Sequence, residues 1–518
     1  MTDTETKSDT SVPIPGRSHL KSFGADARKG LVWLTGSRAI EQAITFAITI
    51  LLARLLTPAD YGLLGMATLL LTFLGRFADF GTAESIVQVR DLDDHKLSSI
   101  FWFNLAAGLL FGVVMLLLAP VTAAFFREPD VQPVVAVLAL TLPLQSLTVV
   151  PDFLLRRRLQ FDRWVVRNLT AIIIAGGAGV TVALAGGGVW ALVTQQLAAP
   201  LISGTTLWLA VRWRPRLHFQ RAHILEIKDF TTGVLGFNLL NYFSRNIDYL
   251  LIGRFLTPTD LGLYTLAYRL MRYPTQFLSS AASQALFPVF SRMQDDPVRL
   301  GAGYIRIARY ISFITFPIMV GMALTSNDLI AVLFGTAWMA AAPVLTFLAL
   351  GATLQPVAVL FTSVIWALGL SQWQLRYAVF QVLIVVLGFI IGLQWGIVGM
   401  SASYTVTALI SSGITIYFMF PRCRVSRRKF VGALSLPIAS TAIMGIFVIV
   451  VPIVLMRAGY WPEAALFRLL IQVSVGAMVY LVVIFWREPK LFSELHSDLV
   501  GGRRVRTRST SSEAATHP

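Results

Sequence analysis

Apolar runs of roughly 20 residues, the length a helix needs to cross the hydrocarbon of a bilayer, recur from one end of the chain to the other. About fourteen are present, over residues 31–56, 61–83, 97–119, 132–154, 167–186, 188–211, 230–253, 260–287, 304–325, 338–368, 373–393, 396–420, 431–456 and 464–486. The pattern predicts an all-α integral membrane protein, with no soluble domain of useful size outside the spans. The fourth and tenth runs are the least sharply bounded.

Polar residues inside four of these spans fall at helical spacing. The first span carries Thr35, Arg38, Gln42, Thr45 and Thr49, with Glu41 beside them, and the seventh carries Asn238, Asn241, Arg245 and Asp248. The second adds Thr68, Thr72, Arg76 and Asp79, and the eighth adds Arg269, Arg272, Gln276, Ser279 and Ser283. Steps of three and four place each set on one helical face. A charged group at the bilayer midplane costs about 3 kcal/mol on insertion scales. The stripes are therefore expected to face a wet cavity, where Arg38, Arg76, Arg245, Arg269 and Arg272 outnumber Glu41, Asp79 and Asp248. The competing reading pairs Arg38 with Glu41, Arg76 with Asp79 and Arg245 with Asp248 as salt bridges three residues apart. Arg269 and Arg272 have no acid near them in sequence, so pairing explains them less well.

The chain also repeats itself. "LLARLLTPADYGLLGMA" begins at Leu51 and "LIGRFLTPTDLGLYTLA" at Leu251, so Arg54, Thr57, Pro58, Asp60 and Gly62 recur 200 positions later as Arg254, Thr257, Pro258, Asp260 and Gly262. Threonine suits an N-cap, proline the first helical position and aspartate the third, so Asp60 and Asp260 are expected to be caps. An even number of spans separates the copies, so both face the same way, as in transporters built of two parallel halves. The predicted organisation is a tail over 1–30, a six-span lobe over 31–211 and a linker over 212–229. A second six-span lobe over 230–420, two further spans over 431–486 and a disordered tail over 487–518 complete it.

Composition sharpens this picture. Hydrophobic residues make up 56% of the 518 and charged residues 14%, too few to cover a soluble surface. The net charge of +16 resides mostly in loops. Of 43 Lys and Arg, about 33 fall on one side of the predicted membrane, about four on the other and about six inside spans. That asymmetry puts both termini in the cytoplasm and makes "RRRLQFDRWVVR" (156–167) and "RCRVSRRKF" (422–430) topology signals rather than nucleic-acid sites. No cleavable signal peptide is expected in the first 30 residues. Cys423 is the only cysteine and the six histidines fall in loops or tails, so no disulfide, metal centre or cofactor is expected. Arg54 and Arg254 are placed to snorkel to the interface, and Tyr242, Tyr264 and Tyr268 lie near the stripes, where packing or stacking on sugars is open to them.

"LLARLLTPADYGL", "FADFGTAESIVQVRDL", "FWFNLAAGLL", "LNYFSRNIDYLLIGRFL", "LGLYTLAYRLMRYP" and "LFPVFSRMQDDPVRL" resemble the polysaccharide-transporter branch of the multidrug/oligosaccharidyl-lipid/polysaccharide flippase superfamily, in particular its Wzx-type members. The likeness runs from about residue 30 to 420. It implies a bacterial inner-membrane flippase that turns over undecaprenyl-diphosphate-linked oligosaccharide for lipopolysaccharide or exopolysaccharide assembly. It implies further that Arg38, Arg76, Arg269 and Arg272 line a cationic cavity for the diphosphate. Arg245 and Asp248 fall within the family-like "NYFSRNID" stretch, and Asn241 lies on the same helix. Glu41, Asp79 and Asp248 are the candidates for ion coupling; nothing is made or cleaved, so no residue is catalytic. Other polysaccharide-assembly membrane proteins are the expected partners besides the lipid-linked substrate. The alternatives are a multidrug exporter of the same superfamily, whose cavity should be acidic rather than rich in arginine, and a membrane polysaccharide polymerase, which needs a longer outer loop.

Overall fold

The computed structural model describes residues 17–79, 93–157, 161–220, 242–243, 245–291, 293 and 296–489, and every regular element among them is helical. The chain divides into two compact units, Met1–Asn246 and Ile247–Pro518.

In the first unit the helices are α1 (Arg17–Leu55), α2 (Pro58–Asp79), α3 (Asp94–Phe126), α4 (Val131–Leu138), α5 (Thr141–Ser146), α6 (Val149–Arg157), α7 (Phe161–Leu184) and α8 (Val189–Ala210). The helix that hydropathy starts near residue 31 thus runs from Arg17. Residues 245–255 form α9, which crosses the boundary between the units. The second unit continues with α10 (Pro258–Ser291), α11 (Pro297–Leu324), α12 (Ser326–Leu333), α13 (Ala341–Ala352), α14 (Gln355–Ala367), α15 (Ser371–Gly392), α16 (Gly396–Arg422), α17 (Arg427–Arg457) and α18 (Ala465–Arg487). Among the described residues, 8 helices are long and apolar enough to cross a membrane, or 9 if a bent pair counts as one span. Leu109, Leu110, Leu116 and Leu117 on α3 and Leu481, Val482 and Phe485 on α18 are exposed, as they are when lipid is the solvent.

The repeated turn folds as its residues dictate. The Thr57 amide and hydroxyl both donate to Asp60 Oδ2, at 2.9 and 2.7 Å, and the Asp60 amide donates back to Thr57 Oγ1 at 3.3 Å. In the second copy the same three bonds are 3.2, 2.7 and 3.1 Å. This reciprocal capping box satisfies amides that have no intrahelical partner. Asp60→Ala is expected to cost about 1 kcal/mol, read as earlier unfolding of the purified protein, because Thr57 loses its acceptor.

The repeat extends beyond that turn. The fourth hydropathic run is not one helix but α4, α5 and α6, with a 42° bend before Val149. The tenth run is likewise split, into α13 and α14. Proline explains the breaks: Pro143, Pro151, Pro343 and Pro356 each stand in the first turn of a new helix, where the missing N–H forfeits no bond. Pro143 and Pro343 hold equivalent positions of the two units, each following an amide that bonds three residues back: Leu142 to Ala139 O (3.3 Å) and Ala342 to Met339 O (3.0 Å). The broken run packs tightly on α3 at Gly108, where an added Cβ would collide with Ser146 Oγ.

The last two helices belong to the second unit. Tyr480 on α18 donates to the Phe313 carbonyl of α11 at 2.8 Å, within a cluster that includes Met444 and Val448 of α17. Arg468 Nε donates to Asp328 at 2.8 Å and Arg309 pairs with Glu488, so α18 is tied at both ends. Cys423 lies fully buried against Tyr304, Phe361 and Phe430, and burial pushes its thiol up to about 11. Maleimide labelling of the folded protein at neutral pH is expected to run more than about 100-fold slower than in denaturant, where the thiol regains its ordinary acidity.

Candidate functional site

The polar stripe of α1 serves partly its own helix. Thr45 donates to the Glu41 carbonyl and Thr49 to the Thr45 carbonyl, both at 2.8 Å. Hydroxyls that bond four residues back are satisfied without a neighbour. The charged members behave differently. Arg38 is exposed on α1, and half-buried Glu41 accepts from Asn168 Nδ2 of α7 at 3.2 Å. Asn168 Oδ1 in turn receives Arg167 Nε at 3.1 Å and Nη2 at 2.6 Å, while Arg167 pairs with Asp152 of α6. A chain of polar groups, Glu41, Asn168, Arg167 and Asp152, thus ties α1 to α7 and α6 inside the first unit. Sequence reasoning counted Arg167 among the topology charges. The structure instead turns it inward, onto an acid 15 positions away in the chain, which periodicity on one helix does not reveal.

Arg76 is exposed near the end of α2, and Arg245 is exposed near the start of α9. Asn241 and the side chain of Asp79 lie outside the described residues. Tyr242, read as a neighbour of the stripes, is buried and donates to the Leu69 carbonyl of α2 at 2.7 Å.

In the second unit Asp248, 4% exposed, accepts from the Tyr264 hydroxyl at 3.0 Å and from the Tyr249 amide at 3.0 Å. An acid buried in a span needs such donors, since an unsatisfied carboxylate there costs several kcal/mol. Tyr264 and Tyr268 stack with centroids 6.0 Å apart, and Tyr249 meets both edge-on at 5.8 and 5.9 Å. The Arg272 guanidinium sits 5.7 Å over the Tyr268 ring. Tyr404 of α16 closes the far edge at 6.0 Å from Tyr268, its hydroxyl bonded to Gln355 Nε2 at 2.6 Å. Arg269 is exposed one turn before Arg272. The structure therefore brings Asp248, Tyr264, Tyr268 and Arg272 into one aromatic cluster. It adds Tyr249, Tyr404 and Gln355, which the sequence did not single out. No group of three or more metal-ligating side chains occurs among the described residues.

With this geometry in hand, comparison with known proteins is decisive on kinship. The model of a family described as "Polysaccharide biosynthesis protein" matches residues 51–343. The chain belongs to that family. It is 26% identical over 481 residues to the succinoglycan biosynthesis transport protein ExoT of Rhizobium meliloti, covering 92% of this chain and 95% of that one. It is 25% identical over 399 residues to the lipopolysaccharide biosynthesis protein WzxC of Escherichia coli (74% and 79% covered), and 24% over 420 to the teichuronic acid biosynthesis protein TuaB of Bacillus subtilis (80% and 86%). Among solved structures it resembles the lipid II flippase MurJ in an inward closed conformation, with a TM-score of 0.71, 13% identity and 90% of this chain covered, 99% of that one. An inward-facing multidrug transporter of the MATE family and MOP superfamily follows at TM-score 0.55, 15% identity, 76% of this chain and 98% of that one. At such identities the two structures establish the fold alone, that of a multi-pass membrane transporter.

Proposed function

We propose that this protein is a flippase that moves undecaprenyl-diphosphate-linked oligosaccharide across the bacterial inner membrane by alternating access, for the assembly of a surface polysaccharide. The sugar head is too polar to cross hydrocarbon unaided and the diphosphate adds charge. A polar path through the protein is what such a substrate lacks elsewhere. Kinship with proteins of lipopolysaccharide, succinoglycan and teichuronic acid biosynthesis supports this cargo.

The observation that carries the reading is the exposure of Arg38, Arg76, Arg245 and Arg269 on helices that lie in predicted spans. A guanidinium turned to lipid costs about 3 kcal/mol or more, so exposure within a span favours a water-filled path. Guanidinium binds phosphate through two parallel hydrogen bonds, so Arg38, Arg76, Arg269 and Arg272 are the candidates for a diphosphate. Arg245 and Asn241 are further candidates for contact with the diphosphate or its sugars. Glu41, Asp79 and Asp248 are the candidates for coupling to an ion gradient. Fourteen spans with both termini in the cytoplasm complete the proposal, alongside membrane partners that lengthen or export the polymer.

The test is a deletion strain complemented with the intact gene. Restored surface polymer, with unchanged susceptibility to cationic drugs, is the expected result. A strain that keeps its polymer but becomes drug-sensitive would replace the flippase reading with multidrug export.

A further inference from the structure

The turn between α16 and α17, in the second unit, carries Arg424, Arg427, Arg428 and Lys429, and all four side chains are exposed. No Asp or Glu occurs in the sequence between Asp328 and Glu463, and Glu463 lies past the far end of α17. Acids on the surrounding helices are engaged elsewhere. Asp296 caps α11, accepting from the Val298 and Arg299 amides at 3.1 and 3.0 Å, Glu488 pairs with Arg309, and Asp328 accepts from Arg468. Among the described residues none of the four cations has an ion pair.

The backbone and the rings beneath hold these cations in place. α16 ends in a Schellman turn, with the Val425 amide bonded to the Phe420 carbonyl at 3.0 Å and Arg424 in the left-handed region at φ 46°. Glycine is the usual residue there, because a Cβ strains that conformation. Cys423, Val425 and Phe430 are buried around it, and a Cβ added to Gly301 of α11 would collide with the Cys423 carbonyl. Arg427 reaches back over α16, 4.9 Å from the Tyr417 ring centroid and 5.9 Å from that of Phe420. A ring holds a guanidinium without neutralising it, as a carboxylate would. Arg427, Arg428 and Lys429 also fill the first turn of α17, the positive end of its dipole, where cations are disfavoured. Arg422 is different: it is half-buried over Trp373 and Phe418, and its Nη1 donates to the Phe418 carbonyl of its own helix at 3.1 Å. It is left out of the site.

Membrane topology calls for cations at this end of the spans, but not for a strained backbone or for rings that fix them. The surface toward the bilayer is apolar. On α17 the face of Arg428 continues through Val431, Ser435 and Ile438, and on α16 the face of Tyr417 continues through Ile410 and Val406, all of them exposed. A soluble anion would use the cations and leave those faces idle, whereas a phospholipid uses both. A zwitterionic headgroup would bring its own ammonium against four cations. We infer that the α16–α17 turn binds an anionic phospholipid of the adjoining leaflet, its phosphate on Arg427, Arg428 and Lys429 with Arg424 beside them, and its acyl chains along the two apolar faces.

The test uses the full chain in nonionic detergent, titrated with phosphatidylglycerol or phosphatidylcholine and read by native mass spectrometry as lipid retained per protein. Retention of phosphatidylglycerol is expected to be about tenfold the stronger. Arg427→Gln with Arg428→Gln and Lys429→Gln should abolish that preference. Tyr417→Leu, at an exposed position, keeps every charge and guards against misfolding of the first variant; by releasing Arg427 it should weaken phosphatidylglycerol binding about threefold. Arg503→Gln with Arg504→Gln and Arg506→Gln takes the same charge from the C-terminal tail and should change nothing. Equal retention of the two lipids, binding undiminished in either turn variant, or an equal loss in the tail variant would overturn the site. Glycerol 3-phosphate, which has the phosphate without the chains, is expected to leave the bound lipid in place. Its displacing the lipid at equimolar concentration would replace the phospholipid with a free phosphate.

Discussion

Replacing Arg269 and Arg272 together by alanine is expected to abolish surface-polymer export while leaving the protein at normal abundance in the membrane. Arg269 is exposed on α10, so its removal opens no cavity in the core. Arg272 gives up its position 5.7 Å over the Tyr268 ring, a contact worth about 1–2 kcal/mol in a desolvated site. Loss of two guanidiniums from a diphosphate is a larger effect, since charge-assisted hydrogen bonds contribute about 1.5–3 kcal/mol each and two of them already exceed a hundredfold in binding. The double lysine variant separates charge from geometry. A compact ammonium keeps the charge and loses the planar fork, so export should recover only in part. Surface polymer measured per cell, against an immunoblot of the membrane fraction, decides the matter. Full export by the double alanine variant would remove these arginines from the substrate path.

The contrast between what was and was not legible in the chain follows the range of the interactions involved. Thr57 and Asp60 are three residues apart, and every atom of the capping box is written in one heptapeptide; both copies fold as read. The broken fourth and tenth runs were blurred in hydropathy because their prolines are apolar. Pro143 and Pro343 interrupt a hydrogen-bond ladder without interrupting an apolar run. Stripe membership was legible but the partner was not. Periodicity placed Glu41 on a polar face, yet the amide it binds belongs to Asn168, 127 positions away. Thr45 and Thr49, on the same face, turn their hydroxyls onto their own helix. In the second unit Asp248 was picked out for its charge, whereas Tyr249, Tyr404 and Gln355 look like ordinary members of apolar runs until the fold gathers them. Kinship supplied what spacing did not, because the motifs that mark the family are short and local.

The second large effect is expected at Arg167. Its side chain is 11% exposed and the Asp152 carboxylate it pairs with is 19% exposed. Breaking a fully buried pair by removing one partner costs about 3–5 kcal/mol. This pair is partly buried, so the loss should be smaller, on the order of 2 kcal/mol, mainly because the other charge is left partly desolvated. Arg167→Met should therefore unfold the first unit early and reduce the amount of protein recovered from membranes. Removing the second charge as well should undo most of that loss, since Asp152→Leu with Arg167→Met leaves no stranded carboxylate. Asn168→Leu is the control for the rest of the chain of contacts. It deletes the bond to Glu41 and the two that Arg167 donates to Asn168 Oδ1 while leaving the Arg167–Asp152 pair in place, and should cost about 1.5–3 kcal/mol in stability. Thermal unfolding of the parent, Arg167→Met, Asp152→Leu alone and the double variant gives the coupling directly as a double-mutant cycle. A single Arg167→Met protein as stable as the parent would mean that α6 and α7 are held by packing alone. In that case Glu41 would owe its position to α1 rather than to the polar chain behind it.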